Sequence, residues 1–548
     1  MAARRLFVVL ASLTIVCGLA AALFQVLALG GWTFAKALMV LGFVGAAPWV
    51  GLCFTNGAVG FAILVFGRPA AVPLPFPGSL PPVAIALTVR NEDMTEVLPN
   101  MATLLQELDT LGHGNAFTLF VLSDTQDPTA VALEEAAVVR FRAESPRPDR
   151  IRYRRRVENT AFKAGNIMDF LDNHAGDHEL MLTLDADSRM TAPAVLRMIA
   201  PMLAEPKLGI VQHLTVALPA TSAFPRLFQF GMRAGLRTWA TALTWWQGDE
   251  ACYWGHNAVI RCKPFRDHCR LPLLPGGAHI LSHDQVEAAM LTGAGWGVRL
   301  LASEDGSYET NPPALPEHLR RELRWLAGNF EYRHLLSMPI LRPMGRWQLL
   351  QAILLFGCTP FYLVFLAGAA LAAATDRVSV FPFWPALALT LGWTGALYTP
   401  KILGYLEVAL SARKRAAYGG LTRLIQGACL ETCFTLLYDA VGVFSKTLAT
   451  ARILLGARSG WSPQNRGDRG VGWMEALRLL WPHTLAGLIA MAAFAQAGWV
   501  AVFWALPLIG GLPLAVPFCV LTACPAFGDW LRRAELAATP EEVARSGA

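Results

Sequence analysis

The sequence predicts an α/β domain inserted in an α-helical polytopic membrane domain. Three observations support this fold class. Of the 548 residues, 54% are hydrophobic and only 16% are charged, a composition too apolar for an ordinary soluble protein. Charge-free runs long enough to cross a bilayer lie near both ends of the chain. Between them, short apolar strands alternate with helical segments, as in an α/β domain.

The N-terminal region predicts two membrane spans. Residues 6–35 and 37–67 carry no charged side chain, and each run exceeds the roughly 20 apolar residues that a spanning helix needs. A cleaved signal peptide is the rival interpretation of the first run, but its apolar core is too long and no small-residue cleavage pattern precedes a polar mature start. Arg4 and Arg5 precede the pair and Arg68 follows it, so we expect the N-terminus and the central domain to be cytoplasmic.

The C-terminal region predicts further spans. Residues 347–375 and 378–400 are uncharged and each can cross once, while residues 484–528 are uncharged and long enough for two passes. Residues 424–450 contain three ionisable side chains. We expect either a hairpin of short spans or an amphipathic element at the membrane interface there. The expected total is six to eight transmembrane helices.

Charge and cysteine usage limit the partners. The formal net charge of +6 fits a cytosolic face near anionic lipid, and no module that combines basic and aromatic residues for nucleic-acid binding is evident. The ten cysteines are scattered, with no C-x-x-C pair and no histidine cluster at zinc spacing. We therefore predict membrane lipid as a partner, no nucleic acid, and cysteines that serve as small packing residues.

Six prolines between Pro69 and Pro82 mark a boundary. After them, β-rich runs such as VAIALTV (83–89) alternate with helical segments such as PTAVALEEAAVVRFRAE (128–144), which predicts a largely parallel sheet with crossover helices. The expected domains are two N-terminal transmembrane helices (1–68), a Pro-rich linker (69–82), a cytoplasmic α/β domain (83–345), a C-terminal transmembrane region with interfacial elements (346–530) and a cytoplasmic tail (531–548).

Polar residues follow three of the predicted strands, in the segments RNED (90–93), SD (123–124) and DAD (185–187). Because ligands of such sheets bind beyond the carboxyl ends of the strands, we expect these segments to meet at one edge. Asp185 and Asp187 alone fit an Asp-rich turn that hydrogen-bonds its own backbone. Three converging segments favour a nucleotide-diphosphate site instead, in which the two carboxylates hold Mg²⁺ or Mn²⁺.

The stretch RIRYRRRVENTAFKAGN (150–166) combines two features. For Arg152 to Arg156 we favour a solvated basic strand near the membrane over a catalytic role. Lys163 differs, because it lies where KAGN opens a helix and where backbone donors and a cation can both face phosphate.

The order of motifs resembles the processive, membrane-embedded family 2 glycosyltransferases, which include cellulose and hyaluronan synthases. These motifs are TVRNED, LSD, KAGN, DAD, VQH, YWGHNAVIR, LSHD and LRWLAGN. YWGHNAVIRCKPFRDHC, ILSHDQVEAAML, GSYE and RELRWLAGN are more closely similar to the glucans biosynthesis glucosyltransferase H family, which makes the backbone of osmoregulated periplasmic glucans. The resemblance extends from Ala84 to the C-terminal TPEE.

This resemblance implies a GT-A fold for the α/β domain, UDP-glucose as the donor and Mg²⁺ (or Mn²⁺) as the cofactor. It implies metal binding by Asp185 and Asp187. Asp284, in LSHD, would be the catalytic base and would give inversion to a β-linkage, although an Asp at this place also fits a helix N-cap. The donor-nucleotide residues implied are Thr88, Arg90, Glu92, Asp124, Lys163, Asn166, Asp185 and Arg324.

The resemblance also implies an acceptor site. Its residues are Trp325, His256, Asn257 and His283. Arg324 and Trp325 match the R-W core of the family's Q-x-x-R-W motif, but Arg321 stands where cellulose synthases have Gln, so the Gln contact does not carry over. A packing Trp and a packing His remain the alternatives for Trp325 and His283.

The function implied is a processive, inverting β-glucosyltransferase in the bacterial inner membrane. It would build a β-1,2-linked glucan backbone from UDP-glucose and move the growing glucan acceptor across the membrane, with an acyl carrier protein and periplasmic glucan-processing proteins as partners. Another family 2 polysaccharide synthase is a close alternative. A transporter with a nucleotide-sensing domain is a distant one, because the predicted spans carry few of the charges that mark solute pathways.

Overall fold

The computed structural model describes residues 1–67, 79–376, 382–457, 467 and 469–546. The α-helices in these ranges are α1 (Ala2–Leu27), α2 (Phe34–Phe66), α3 (Met94–Thr110), α4 (Pro128–Glu144), α5 (Phe162–Asn173), α6 (Ala192–Ala204), α7 (Ala223–Gln247), α8 (Cys262–His268), α9 (Asp284–Gly293), α10 (Leu315–Glu331), α11 (Pro343–Gly357), α12 (Thr359–Thr375), α13 (Phe383–Leu410), α14 (Ala412–Ala417), α15 (Leu421–Leu454), α16 (Trp473–Gln496), α17 (Trp499–Ile509), α18 (Ala515–Thr522), α19 (Pro525–Arg533) and α20 (Pro540–Ser546). The strands are β1 (Val83–Val89), β2 (Phe117–Ser123), β3 (Ile151–Arg155), β4 (Leu180–Asp185), β5 (Arg189–Met190), β6 (Leu208–His213), β7 (Val216–Ala217), β8 (Ala258–Arg261), β9 (Gly297–Leu301) and β10 (Ser307–Glu309). Residues 69–78 of the predicted linker, 378–381 of a predicted span and 547–548 of the predicted tail lie outside the described residues.

Five helical segments of the described chain are long and apolar enough to cross a bilayer: α1, α2, α11 together with α12, α15 and α16. The protein is therefore membrane-associated. The helices α1 and α2 correspond to the two predicted N-terminal spans. The helix α13 is 28 residues long but carries Lys401 and Glu407. The predicted total of six to eight spans thus stays a prediction.

The helix α15 corrects the expectation for residues 424–450. It is one continuous helix of 34 residues, which excludes the hairpin of short spans, and it is long and apolar enough to cross a bilayer. Its acidic side chains are paired with α13: Glu431 lies 2.6 Å from Lys401, and Asp439 accepts a hydrogen bond of 2.5 Å from Tyr398. Because these partners come from another helix, the buried charges do not interrupt α15.

Residues 484–528 also differ from the prediction of two passes. The helix α16 covers the first part, and a turn at Gly498, with a φ of 100°, ends it. The next two helices, α17 and α18, have only 11 and 8 residues. Neither is long enough to span a bilayer, because a spanning helix needs about 20 residues.

A seven-stranded sheet forms the centre of the α/β domain, in the order β3-β2-β1-β4-β8-β6-β9. Only β8 runs antiparallel to its neighbours, so the prediction of a largely parallel sheet is confirmed. Three short strands, β5, β10 and β7, form a second sheet beside it.

Strand β1 shows why the sequence of a strand in this sheet is a continuous apolar run. Val83, Ile85 and Leu87 point to one face, into a core with α3 and α6. Ala84 and Ala86 point to the other face, into a core with α5, α8 and α9. Both faces are covered by helices, so successive residues are all buried and no polar alternation appears.

The helix α7 joins the sheet domain to the membrane helices, since it packs against β9 on one side and against α2 and α13 on the other. Two glycines allow a close approach. A Cβ at Gly60 would overlap the carbonyl oxygen of Thr238, and one at Gly404 would overlap that of Ala234. The backbones therefore touch, and larger side chains at these two glycines would separate the helices.

Buried ion pairs reinforce this junction, and we call them the α7 cluster. Arg226 lies 2.6 Å from Glu542, and Arg233 lies 2.6 Å from Glu541, which docks α20 against α7. The cluster as a whole contains Arg226, Arg233, Arg237, Lys414, Glu304, Glu407, Glu541 and Glu542. Its cations and carboxylates are equal in number, so the cluster is neutral when all are ionised.

Candidate active site

A cavity of about 530 Å³ opens beyond the carboxyl ends of β1, β2 and β4. The three polar segments predicted to converge do so there, because these strands are neighbours in the sheet. The predicted site residues that line the cavity are Thr88, Arg90, Glu92, Asp124, Lys163, Asn166, Asp185, Asp187, His256, His283, Asp284, Arg324 and Trp325. Of the predicted site residues, Asn257 alone does not line the cavity.

The register of β1 and β4 brings the first polar groups together. Thr88 is paired with Asp185 across the ladder, and its hydroxyl donates a hydrogen bond of 3.2 Å to the Asp185 carboxylate. Lys163, at the start of α5, contacts the same carboxylate and donates to the carbonyl of Gly255 at 2.9 Å. The turn before it is strained, because Ala161 has a φ of 59°. That turn places the lysine ammonium beside the strand ends.

Asp124 is held by Arg156, which we predicted to be part of a solvated basic strand. Arg156 donates two hydrogen bonds, of 2.8 and 2.7 Å, to the two oxygens of the Asp124 carboxylate, and both side chains are buried. Arg154 is likewise paired, at 3.1 Å from Asp169. The solvated interpretation is therefore wrong for these two arginines, while Arg152 is exposed. Each arginine has a partner distant in sequence, which no local pattern indicates.

The carboxylates at the end of β4 suit a hard divalent cation. Asp187 accepts a hydrogen bond of 2.9 Å from Thr310 and shares the cavity with Asp185 and Glu309. Burial, together with the negative charges of both aspartates, raises the pKa of Glu309 despite nearby His256 and Arg321. The described residues contain no closed group of three or more ligands of the His, Cys, Asp or Glu type. A magnesium-type site needs only one or two carboxylates when a diphosphate and water complete its shell, so the two aspartates fit such an ion.

Asp284 is the first residue of α9 and faces the same cavity. The cap position before it is occupied by His283, and no side chain caps the helix. The N-cap alternative for Asp284 is therefore wrong. The loop before α9 is fixed where the backbone N–H of Leu281 donates to Glu331 at 2.8 Å.

The α10 side of the cavity carries Trp325, which is 44% exposed. A core Trp is therefore excluded as the alternative. The guanidinium of Arg321 lies 4.7 Å from the centre of its ring, which is a cation–π distance. Arg321 thus orients the indole from the position where the resemblance expects Gln.

Asn257 and several unpredicted residues show what sequence reasoning missed. The side chain of Asn257 is fully buried and donates a hydrogen bond of 2.9 Å to Ser307, so it supports a loop behind the cavity. Unpredicted residues of the lining include Gln126, Asn159, Trp254, Glu309, Thr310 and Arg321. Glu309 belongs to the motif GSYE and Trp254 to YWGHN, so both motifs already indicated them.

Comparisons with known proteins agree on a family. The chain matches models of glycosyl transferase family 2 over residues 85–269 and of glycosyl transferase family group 2 over residues 180–397. It is 35% identical over 560 residues to the glucans biosynthesis glucosyltransferase H of Shewanella sp. (strain W3-18-1), covering 98% of this chain and 77% of that protein. The protein of the same name from Rhodopseudomonas palustris (strain ATCC BAA-98 / CGA009) is 34% identical over 565 residues, with the same two coverages of 98% and 77%.

Solved structures give weaker likenesses. The mannosyltransferase PcManGT from Pyrobaculum calidifontis, in complex with GDP-Man and Mn²⁺, is 16% identical with a TM-score of 0.43, over 68% of this chain and 98% of that one. The mannosyl-3-phosphoglycerate synthase from Rubrobacter xylanophilus is 16% identical with a TM-score of 0.30, over 49% of this chain and 78% of that one. The assignment rests on the family models and the full-length relatives. The α/β domain is thus a GT-A domain, the protein is a family 2 glucosyltransferase, and the chain belongs to the glucans biosynthesis glucosyltransferase H family.

Proposed function

We propose that this protein polymerises glucose from UDP-glucose into a β-1,2-linked glucan and moves it across the bacterial inner membrane, with the catalytic domain in the cytoplasm. One observation carries the proposal: the Asp185 and Asp187 pair and Asp284 line a single cavity, with Trp325 at its α10 side. Such a cavity offers a diphosphate site, a base and an acceptor platform together.

The donor end of the cavity supports nucleotide-sugar binding. Asp124, fixed by Arg156, is the proposed uracil contact, and Lys163 and Arg324 are the cations proposed to face the diphosphate. Asp185 and Asp187 are the residues that would hold Mg²⁺ or Mn²⁺. When bound, that ion supplies positive charge against the diphosphate of the leaving UDP.

Asp284 is the proposed base. As the acceptor hydroxyl oxygen attacks the anomeric carbon, its proton moves to the Asp284 carboxylate, and the bond between that carbon and the diphosphate oxygen breaks. UDP leaves with the bonding electron pair, and Lys163 stabilises the developing negative charge. Attack from the side opposite UDP converts the α-linkage of the donor into a β-linkage.

An ion pair between the site helix α10 and the candidate membrane span α15 supports passage of the product. Glu322, on α10, lies 2.9 Å from Lys446 on α15, one turn from the proposed acceptor platform. Ionisable residues inside membrane-spanning helices, such as Lys446 on α15, often mark a substrate path. An acyl carrier protein and periplasmic glucan-processing proteins are proposed as partners on the family resemblance alone.

The test is incorporation of labelled glucose from UDP-glucose by the purified protein in detergent with Mg²⁺, followed by linkage analysis. The Asp284→Asn variant should lose turnover and retain UDP binding. The matched control is Asp267→Asn, a carboxylate paired with Lys263 on the surface of α8. UDP release from another UDP-sugar, but none from UDP-glucose, would overturn the substrate. Loss of UDP binding in Asp284→Asn would favour a nucleotide sensor.

A further inference from the structure

Glu287, one turn into α9, is a buried carboxylate without an assigned role. Its side chain is 2% exposed, and it accepts a hydrogen bond of 2.8 Å from Nδ1 of His283. Within the described residues, His283 is its only cationic partner. A buried carboxylate without a paired charge is costly, so this contact favours the protonated imidazole.

The surroundings of His283 agree with a protonated ring. Burial alone would lower the pKa of His283, but the charge and the hydrogen bond of Glu287 outweigh it, and the pKa is raised. Asp284 acts in the same direction, and Lys163 opposes it. On the α10 side, Glu331 accepts a hydrogen bond of 2.8 Å from the backbone N–H of Leu281, two residues before His283.

The geometry decides what this imidazolium can reach. His283 lines the cavity beside Asp284, and its Nδ1–H is taken by Glu287. Among the residues that the structure describes, no hydrogen-bond partner meets Nε2 of His283. That second N–H is therefore the donor left for a ligand, and an imidazolium with both nitrogens protonated cannot compete with Asp284 as a base.

We propose that Glu287 is a positioning residue that holds His283 as an imidazolium, whose Nε2–H binds an oxygen of the acceptor sugar next to Asp284. This inference rests on the proposed function and deepens its acceptor site. We expect Glu287 to affect the binding of the acceptor and not the binding of UDP-glucose. Acceptor binding should then weaken as the pH rises and His283 loses its proton.

The kinetic test uses the full chain in detergent, with UDP-glucose as donor and β-1,2-linked glucose oligosaccharides as acceptor, between pH 6 and 9. Glu287→Gln should raise the KM for the oligosaccharide about tenfold at pH 7 and move its pH-dependent rise to lower pH. The KM for UDP-glucose should change less than twofold. Glu287→Asp, which keeps the charge, should recover part of the loss. The control Glu331→Gln removes a nearby carboxylate but keeps an oxygen for the Leu281 N–H.

A direct titration separates this inference from the proposed function. Histidine-selective carbon-13 NMR of the same protein, with His283→Gln to assign the signal, should place the His283 midpoint lower in Glu287→Gln than in the parent. An unchanged midpoint, equal losses for donor and acceptor, or a turnover independent of the oligosaccharide would overturn the inference. No UDP release from UDP-glucose by the parent, with the midpoint shift intact, would instead overturn the proposed function.

Discussion

The α7 cluster and the active-site cavity both concentrate charged side chains away from bulk water, but they balance the charge differently. In the α7 cluster, every cation faces a carboxylate of the protein, as Arg237 faces both Glu304 and Glu407. In the cavity, Asp185, Asp187 and Glu309 gather on one side with enough mutual repulsion to help raise the pKa of Glu309. Ion pairs that balance each other within the protein hold two parts of the fold together, as the α7 cluster holds α20 against α7. Carboxylates concentrated in one cavity favour a ligand that supplies positive charge.

The largest effect that this comparison predicts is a loss of folding stability without a loss of catalytic turnover. Arg233→Met leaves the carboxylates of Glu304 and Glu541 without a cation that now lies 3.2 and 2.6 Å away. We expect the free energy of unfolding to fall by about 3–5 kcal/mol, the usual cost of breaking a buried pair on one side. Denaturant unfolding in detergent measures it, and turnover per folded molecule should stay within a few-fold of the parent.

Two further variants make the Arg233 prediction decisive. Arg299→Met removes a more exposed arginine that is also bound to two carboxylates, Glu205 and Asp249. It should cost no more than about 1 kcal/mol, because exposed ion pairs are weak. Arg233→Met combined with Glu541→Met should recover part of the loss. Equal losses in Arg233→Met and Arg299→Met would mean that burial of the α7 cluster does not decide its contribution.

The second effect is the reverse, a loss of catalytic turnover without a loss of folding stability. Asp187→Asn keeps the shape of the side chain and its contact with Thr310 but removes one negative charge from the cavity. We expect turnover to fall roughly 10²- to 10³-fold, the range for removing one preorganised electrostatic contact. The free energy of unfolding should stay the same or rise slightly, because the repulsion among Asp185, Asp187 and Glu309 is relieved. Asp249→Asn, at a residue that does not line the cavity, is the control for both measurements.

The part of the fold that was predicted from sequence is the part with local signals. Strand β1 begins and ends where the run VAIALTV does, and α4 covers the predicted residues 128–144. The helix is set by Asp127, which caps it by accepting from the N–H of Ala130 at 2.9 Å, and by Pro128 in its first turn. By contrast, α15 was predicted wrongly because its stability depends on partners from α13 that lie far away in the sequence.

The same distinction holds in the cavity. Asp185 and Asp187 follow a strand directly, so the strand pattern alone placed them at the sheet edge. Arg156 looked like one of several solvated arginines, since its partner Asp124 lies 32 residues earlier. Asn257 stands beside His256 in one motif, yet a φ of 50° turns the backbone there and directs the two side chains to different sides of the loop. A motif identifies the region of a site, but the backbone decides which of its members reach the ligand.

Arg156 tests a case between the α7 cluster and the cavity, because it is an internally paired charge that holds a cavity residue, Asp124. Arg156→Gln leaves the Asp124 carboxylate buried without its bidentate partner. We expect the affinity for UDP to fall by about 1.5–3 kcal/mol, roughly ten- to a hundredfold, as calorimetric titration would measure. The control is Arg152→Gln, four residues earlier on β3, where the guanidinium lies over the ring of Phe120. An equal loss in both variants would argue for a general effect of positive charge in the basic segment 152–156.

The smallest effect concerns a buried group that stays neutral. His213 is fully buried on β6, and its Nδ1–H donates to the carbonyl of Leu214 at 2.8 Å. Burial lowers the pKa of His213 from 6.5 to about 4, while Asp305 and the Leu214 carbonyl oppose this shift and Arg197 adds to it. The unfolded chain therefore binds a proton at this residue below about pH 6.5, and the folded chain does so only near pH 4.

Because the unfolded state binds more protons in that window, His213 makes the folded protein less stable as the pH falls from 6.5 to 4. The slope is about 1.4 kcal/mol per pH unit, so the contribution is about 1.4 kcal/mol at pH 5.5. His213→Leu should remove this slope between pH 6.5 and 4.5, whereas His268→Leu, at an exposed position on α8, should leave it unchanged. If His213→Leu retains the full slope, His213 is not the source of the acid sensitivity, and the carboxylates of the α7 cluster, which lose their charge when protonated while the arginines keep theirs, are the next groups to test. The two variants therefore separate a desolvated neutral histidine from a solvent-exposed histidine as the source of acid instability.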